Sequence, residues 1–147
     1  SSDEEAKITL IGIQDTPGVA SKIFNPLAEA KVNVDMIVQN ITDDGKLTSL
    51  TFTVSNSECE KAVSTLKQSK IKFSKIHIDE MICKVSIIGV GMKSHVGVAK
   101  TMFESLAKEN INIQVISTSE IKISVLISKD KKKQALMALH KSYGLDK

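Results

Sequence analysis

The residues best placed to do chemistry form a short turn, Asp15-Thr16-Pro17-Gly18, at the start of a predicted helix. Backbone N–H groups at a helix start and the positive end of the helix dipole attract anions. Asp15 adds a carboxylate that can accept hydrogen bonds from an ammonium group. A turn with both features suits a free amino acid, which carries both charges. The same four residues are also typical of an ordinary tight turn, and the spacing alone favours that interpretation.

The turn belongs to a segment that the chain repeats. Residues 13–40 read IQDTPGVASKIFNPLAEAKVNVDMIVQN, and residues 90–119 read VGMKSHVGVAKTMFESLAKENINIQVISTS. Gly18 lies 79 residues before Gly97, and Asn33 lies 79 residues before Asn112. This periodicity predicts two copies of one structural unit, each with a glycine turn that leads into a helix.

The sequence shows no catalytic motif. It contains no G-x-S-x-G, no Walker loop and no H-E-x-x-H, and no histidine lies beside a plausible catalytic nucleophile. Cys59 and Cys83 lack the spacing of metal ligands, which favours reduced, buried thiols in a cytoplasmic protein. We therefore expect no enzymatic activity, no metal and no cofactor in this chain.

The composition argues against two classes of partner. All 20 basic residues are lysine, and aromatic residues make up only 3% of the chain. The chain therefore has no arginine side chain that could form paired hydrogen bonds with guanine. It has few aromatic side chains that could stack on bases. No apolar run approaches the roughly 20 residues that cross a bilayer. We expect neither nucleic acid nor a membrane as a partner.

The elements that position the two turns follow one order in both copies. Apolar, β-branched runs predict strands at 7–13, 32–41, 46–54 and 71–78, and in the second copy at 84–90, 112–118 and 121–128. Amphipathic segments predict a helix from Val19, with Ile23 and Leu27 on its apolar face, and a second helix that Ser57 and Glu60 start as a capping box. The second copy has helices at 96–109 and 131–142.

This order predicts an α+β fold with two ferredoxin-like βαββαβ units in tandem, helices packed on one face of antiparallel sheets. The predicted division is a tail at 1–6, a first domain at 7–80 and a second domain at 81–147. The second unit is expected to lack its last strand, because the segment that begins at Tyr143 is too short and too polar. An uncovered strand edge is usually paired or covered.

LIGIQDTPGVASKIFNPLAE and NVDMIVQN resemble the first ACT domain of bacterial aspartokinases, which phosphorylate aspartate at the head of lysine, threonine and methionine synthesis. VSIIGVGMKSHVGVAKTMFESLA and NINIQVISTSEIKISVLI are similar to their second ACT domain. The resemblance covers nearly the whole chain, although Val96 stands where the family often has proline or alanine. The K-F-G-G signature of the kinase domain is absent, so ATP and magnesium would belong to a catalytic domain or subunit elsewhere.

The resemblance implies feedback regulation by threonine, lysine or both. In a threonine-type site, Asp15 would bind the ammonium group of the ligand, the helix start would bind its carboxylate, and Gln39 would bind its hydroxyl. Two residues of the second repeat would complete the pocket across a dimer. A second, lysine-type site would use the loop and strand end of the second copy, with Asp35 or Glu120 as the carboxylate; the resemblance favours Asp35. The threonine-type set is Asp15, Gly18, Ala20, Gln39, Asn110 and Ile113; the lysine-type set is Asp35, Met92, Ser94, His95, Ser119 and Glu120.

The resemblance also implies a homodimer with ACT units side by side, and a missing strand that the segment before the first repeat supplies. Two other interpretations stay open. One is the effector module of another amino-acid enzyme, such as an acetolactate synthase subunit with a branched-chain ligand. The other is a ferredoxin-like domain that binds RNA or only assembles.

Overall fold

The computed structural model describes residues 4–88 and 95–143. The chain divides into two compact units, Ser1–Glu80 and Met81–Lys147. None of the helices in the described ranges has the length and apolar content of a membrane span.

The first unit has the predicted ferredoxin-like order. Its strands neighbour one another in the order β2-β3-β1-β4, and both β1 and β2 run antiparallel to β3. The elements are β1 (Glu5–Gln14), α1 (Val19–Glu29), β2 (Val34–Ile41), β3 (Leu47–Ser55), α2 (Cys59–Gln68) and the first part of β4 (Lys75–Ile88).

The core of the first unit follows from two periodicities. Every second residue at the start of β1, including Ile8 and Leu10, is buried, and so are Ile23 and Leu27 one turn apart on α1. Phe52 of β3 is fully buried. Its ring meets that of Phe24 edge to face, with centroids 5.4 Å apart. Burying one side chain of this size stabilises the fold by about 1.5–3 kcal/mol.

A bulge in β1 sets the direction in which the chain leaves the sheet. The pairing of β1 with β3 shifts between Leu10 and Ile13, where Gly12 has a φ of 79°. The Ser74 N–H donates to the Ile11 carbonyl at 2.7 Å, at the start of β4. Ile13 is buried beyond the bulge, and the turn that begins at Asp15 follows two residues later.

The second unit repeats the arrangement with three strands among the residues that the structure describes. The strands neighbour one another in the order β4-β6-β5, which agrees with the predicted loss of the last strand. Its buried core includes Val85, Met102, Leu106, Ile123 and Leu139. The elements are the remainder of β4, α3 (His95–Lys108), β5 (Val115–Thr118), β6 (Lys122–Ser128) and α4 (Lys132–Tyr143).

Four details of the sequence-based prediction are wrong. Residues 5 and 6 belong to β1 rather than to a tail, and Ala6 is fully buried. Ser57 caps no helix; its hydroxyl lies 3.0 Å from that of Ser55, and a 3-10 turn precedes α2. Residues 71–74 form no strand, because their apolar side chains pack on the core from a loop. The rest of the strand predicted at 71–78 and the strand predicted at 84–90 belong to one strand, β4 (Lys75–Ile88), and residues 89 and 90 lie outside the described residues.

Candidate functional site

The β1–α1 turn is tied to the β2–β3 hairpin through Asp15. Its backbone N–H donates to the Lys46 carbonyl at 3.0 Å, and its side chain is half-buried. The hairpin is itself fixed by Asp44, whose carboxylate accepts from the Thr42 hydroxyl at 2.6 Å and from the Lys46 N–H at 3.0 Å. The hydrogen bond from Thr42, followed by that from Lys46, lowers the pKa of the Asp44 carboxyl. Asp15 therefore lies on a well-supported frame.

The start of α1 offers an anion two features. Gly18 is the N-cap residue with a φ of 84°, a conformation that glycine adopts without steric cost. The helix has no side-chain cap and no acidic residue in its first turn. Gly18 and Ala20 are exposed. First-turn N–H groups without a capping side chain can bind a carboxylate, and the helix dipole favours the negative charge.

The pairing of the strands places Gln39 near this turn. Its amide Nε2 donates to the Thr48 hydroxyl at 3.1 Å, and Thr48 pairs with both Ile13 of β1 and Ile41 of β2. The amide oxygen of Gln39 is not used in that hydrogen bond and can accept from a ligand hydroxyl. The side chain of Gln39 is exposed in the single chain.

Asn110 and Ile113 follow α3 in the second unit. Asn110 is exposed and has a φ of 60°, so its backbone ends the helix in the left-handed conformation that asparagine tolerates. Ile113 is half-buried against the core of the second unit. Both therefore have a structural role in their own unit, and their approach to Asp15 stays a prediction.

The lysine-type set is described only in part. Met92 and Ser94 lie outside the described residues, and His95 is the first residue of α3. Ser119 and Glu120 are exposed in the turn between β5 and β6, where the Ser119 N–H donates to the Lys122 carbonyl at 2.8 Å.

Asp35 lies apart from these residues in sequence, on β2 of the first unit. Its side chain is exposed. The next residue, Met36, donates its N–H to the buried Thr53 hydroxyl at 3.0 Å, which holds the strand at this point. Asp35 thus has a supported backbone and an accessible carboxylate.

The first unit also has a cleft that the sequence did not predict. It has a volume of about 770 Å³ and lies between the start of α1 and the segment that follows α2. None of the predicted effector residues of the first unit lines it, namely Asp15, Gly18, Ala20, Asp35 and Gln39. The signal for it is the pair Lys70 and Lys72, which flank Ile71 at the start of the strand predicted at 71–78.

Metal and thiol chemistry find no support in the residues that the structure describes. No group of three or more histidine, cysteine or acidic side chains there has an arrangement that could hold a metal ion. Cys59 and Cys83 are both buried, and burial raises the pKa of each thiol. Protonated, buried thiols are poor nucleophiles.

One family of known proteins matches both repeats of the chain. The family model of the ACT domain matches residues 8–69 and 85–143. The aspartate kinase of Pseudomonas putida is 52% identical over 145 residues, a match that covers 97% of this chain and 35% of that protein. The aspartokinase of Helicobacter pylori is 51% identical over 142 residues, with the same coverage. The chain thus spans about a third of the length of these relatives.

Solved structures agree over most of the chain. A crystal structure of aspartokinase alpha and beta subunits has a TM-score of 0.87 and 43% identity, and the match covers 96% of this chain and 93% of that one. The ligand-free regulatory subunit of aspartate kinase from Thermus thermophilus has a TM-score of 0.87 and 37% identity, with coverage of 95% and 93%.

Proposed function

Because the chain belongs to the ACT-domain family, as the tandem regulatory ACT domains of aspartokinase, we propose that it binds threonine and lysine as feedback effectors. Their binding would inhibit a catalytic aspartate kinase, the source of ATP and magnesium chemistry, in the cytoplasm. The observation that carries the proposal is the uncapped start of α1 beside Asp15, which presents donors and a carboxylate together.

The threonine-type site assigns one protein group to each polar group of the ligand. The N–H groups at Gly18 and Ala20 bind the carboxylate, and Asp15 binds the ammonium. The amide oxygen of Gln39 accepts from the hydroxyl. A hydrogen bond to a charged group contributes about 1.5–3 kcal/mol, and one between neutral groups about 0.5–1.5 kcal/mol.

The exposure of Gln39 supports a site that a second copy of the chain completes. β2 is an edge strand of the first unit, and the two isoleucines that flank Gln39 on its side of the strand, Ile37 and Ile41, are 51% and 55% exposed. An edge strand with exposed apolar residues favours pairing with another chain. A homodimer would bury these isoleucines and bring Asn110 and Ile113 of one copy towards Gln39 of the other.

Lysine differs from threonine by a side-chain ammonium, which needs an opposite charge when water is removed. We assign that charge in the second site to Asp35, and the other proposed residues of that site are Met92, Ser94, His95, Ser119 and Glu120. Either effector would act by favouring one arrangement of the ACT units over another. It can shift that equilibrium only by its difference in affinity for the two arrangements.

Thermal unfolding with added amino acids tests the proposal. Threonine or lysine should raise the midpoint of unfolding, because a ligand at about 100 times its Kd adds roughly 2.7 kcal/mol to the stability of the folded state. Valine and a short oligonucleotide serve as matched controls. A shift with valine alone would indicate a branched-chain effector module, and a shift with the oligonucleotide would indicate RNA binding. The absence of any shift would indicate an assembly domain.

A further inference from the structure

The cleft between α1 and the end of α2 has the size and the walls of a small-molecule site. Its volume of about 770 Å³ lies within the range of ligand pockets. Its apolar lining includes Ile13 and Val19, which are 2% and 7% exposed, and Ile71, which packs on the core. Ile71 is only half-buried, so it leaves apolar surface that the organic part of a ligand can contact.

The charge around this cleft is positive throughout. Lys22, Lys70 and Lys72 line it, and no lining residue is acidic. No ion pair joins any of the three lysines to another of the described residues. Three ammonium groups around one concave surface repel one another and attract anions, and the cleft concentrates their field.

The two helix ends at the cleft contribute unequally to its potential. Thr16 and Val19, at the start of α1, line the cleft, so the uncapped positive end of that helix points to the same region. The end of α2 carries the opposite partial charge. There, however, the Leu66 carbonyl accepts hydrogen bonds from the Ser69 hydroxyl at 2.7 Å and from the Ser69 N–H at 3.2 Å. The start of α1 therefore adds to the positive potential of the lysines, and one carbonyl at the opposing end of α2 is already satisfied within the chain.

We infer that this cleft binds a phosphorylated small organic molecule, with Lys22, Lys70 and Lys72 around its phosphates and the apolar residues against its organic part. Lysine binds phosphate as a point charge and does not offer the fork that pairs with a single carboxylate. Three lysines without a carboxylate favour several negative charges on the ligand. A zwitterionic amino acid would lack a partner for its ammonium among the residues that line the cleft. The cleft therefore differs in ligand class from the threonine-type site, although both lie at the start of α1.

Calorimetric titration of the whole chain with ADP, pyrophosphate and adenosine tests the inference. ADP should bind at least tenfold more tightly than adenosine, which has the same organic part without phosphates. ADP should also bind more tightly than pyrophosphate, because the apolar lining adds to the affinity. Adenosine binding equal to that of ADP, or pyrophosphate binding without ADP binding, would overturn the assignment.

Matched charge variants locate the binding. Lys70→Gln combined with Lys72→Gln should weaken ADP binding at least tenfold, whereas Lys100→Gln with Lys108→Gln, in the second unit, should leave it within twofold. All four side chains lie at partly or fully exposed positions, so both variants should keep the unfolding midpoint of the parent in the absence of ligand. Equal losses in the two variants would show nonspecific attraction to lysine and would refute the cleft as the site.

Discussion

Lys31 and Asn110 have nearly the same left-handed backbone, with φ of 63° and 60°, at equivalent positions of the two repeats. Each follows a helix whose end is closed by the same hydrogen bond. The Val32 N–H donates to the Leu27 carbonyl at 2.9 Å, and the Ile111 N–H donates to the Leu106 carbonyl at 3.0 Å. This is the Schellman pattern, which normally has glycine at the left-handed position. The duplication has therefore kept the helix end while the residue type changed.

Lys31→Gly should stabilise the first unit. Glycine removes the steric cost of a left-handed residue with a side chain, so we expect the free energy of unfolding to rise by about 0.5–1 kcal/mol. Urea unfolding measures the change. Lys31→Ala is the control, since it removes the charge and keeps the steric cost. An equal gain with alanine would attribute the effect to charge instead.

Gly12→Ala should destabilise the chain more than Gly45→Ala does. Both glycines have positive φ, of 79° and 73°, so both variants incur about 1–2 kcal/mol of backbone strain. A Cβ on Gly12 would also clash with the Ser74 side chain, whereas a Cβ on Gly45 meets no atom of the described residues within 4 Å. Overpacking adds roughly 1–3 kcal/mol. Equal losses of unfolding free energy in urea would show that the loop around Ser74 moves to accommodate the Cβ at little energetic cost.

Gln39→Ala should weaken threonine binding by about 1–2 kcal/mol, because the ligand hydroxyl would lose its hydrogen-bond partner. Isothermal calorimetry at a concentration that supports a dimer measures the affinity. Asn40→Ala is the matched control, since neighbouring residues of a strand point to opposite faces. Unchanged affinity in the Gln39 variant would remove this residue from the site.

Asp35→Asn should lower lysine affinity at least tenfold, which corresponds to about 1.4 kcal/mol, and should leave threonine affinity unchanged. The reason is that the amide keeps the shape of the side chain and loses the charge that the lysine ammonium needs. Asp43→Asn, in the exposed β2–β3 turn, controls for a general loss of negative charge. The assignment fails if calorimetry shows lysine bound equally well to the Asp35 variant.

Ser119→Phe in an aspartokinase that contains this region should release feedback inhibition and keep the catalytic rate. The bulky ring at the exposed β5–β6 turn would fill the proposed pocket, so half-inhibition should need more than ten times as much effector. Assays of kinase activity against effector concentration measure this. Ser119→Ala removes the hydroxyl without adding bulk and should stay close to the parent. Inhibition retained in the phenylalanine variant would count against a pocket-lining role.

The sequence by itself determined the features that depend on neighbouring residues. The alternation in β1, the apolar face of α1 with Ile23 and Leu27, and the turn before Gly18 are all local patterns, and the structure confirms them. The repeat then predicts the same order of helices and strands in the second unit. Backbone propensity and periodicity act within a few residues, so a linear pattern is enough to predict them.

Only the tertiary structure decided what depends on partners distant in sequence. Ile71 and Phe73 alternate as in a strand, yet they lie in a loop, and their side chains pack on the core. That loop brings Lys70 and Lys72 to the same cleft as Lys22 of α1, which no linear spacing shows. The exposure of Gln39 likewise depends on whether another surface covers the edge of β2. Burial and charge clustering come from long-range packing, which local patterns do not contain.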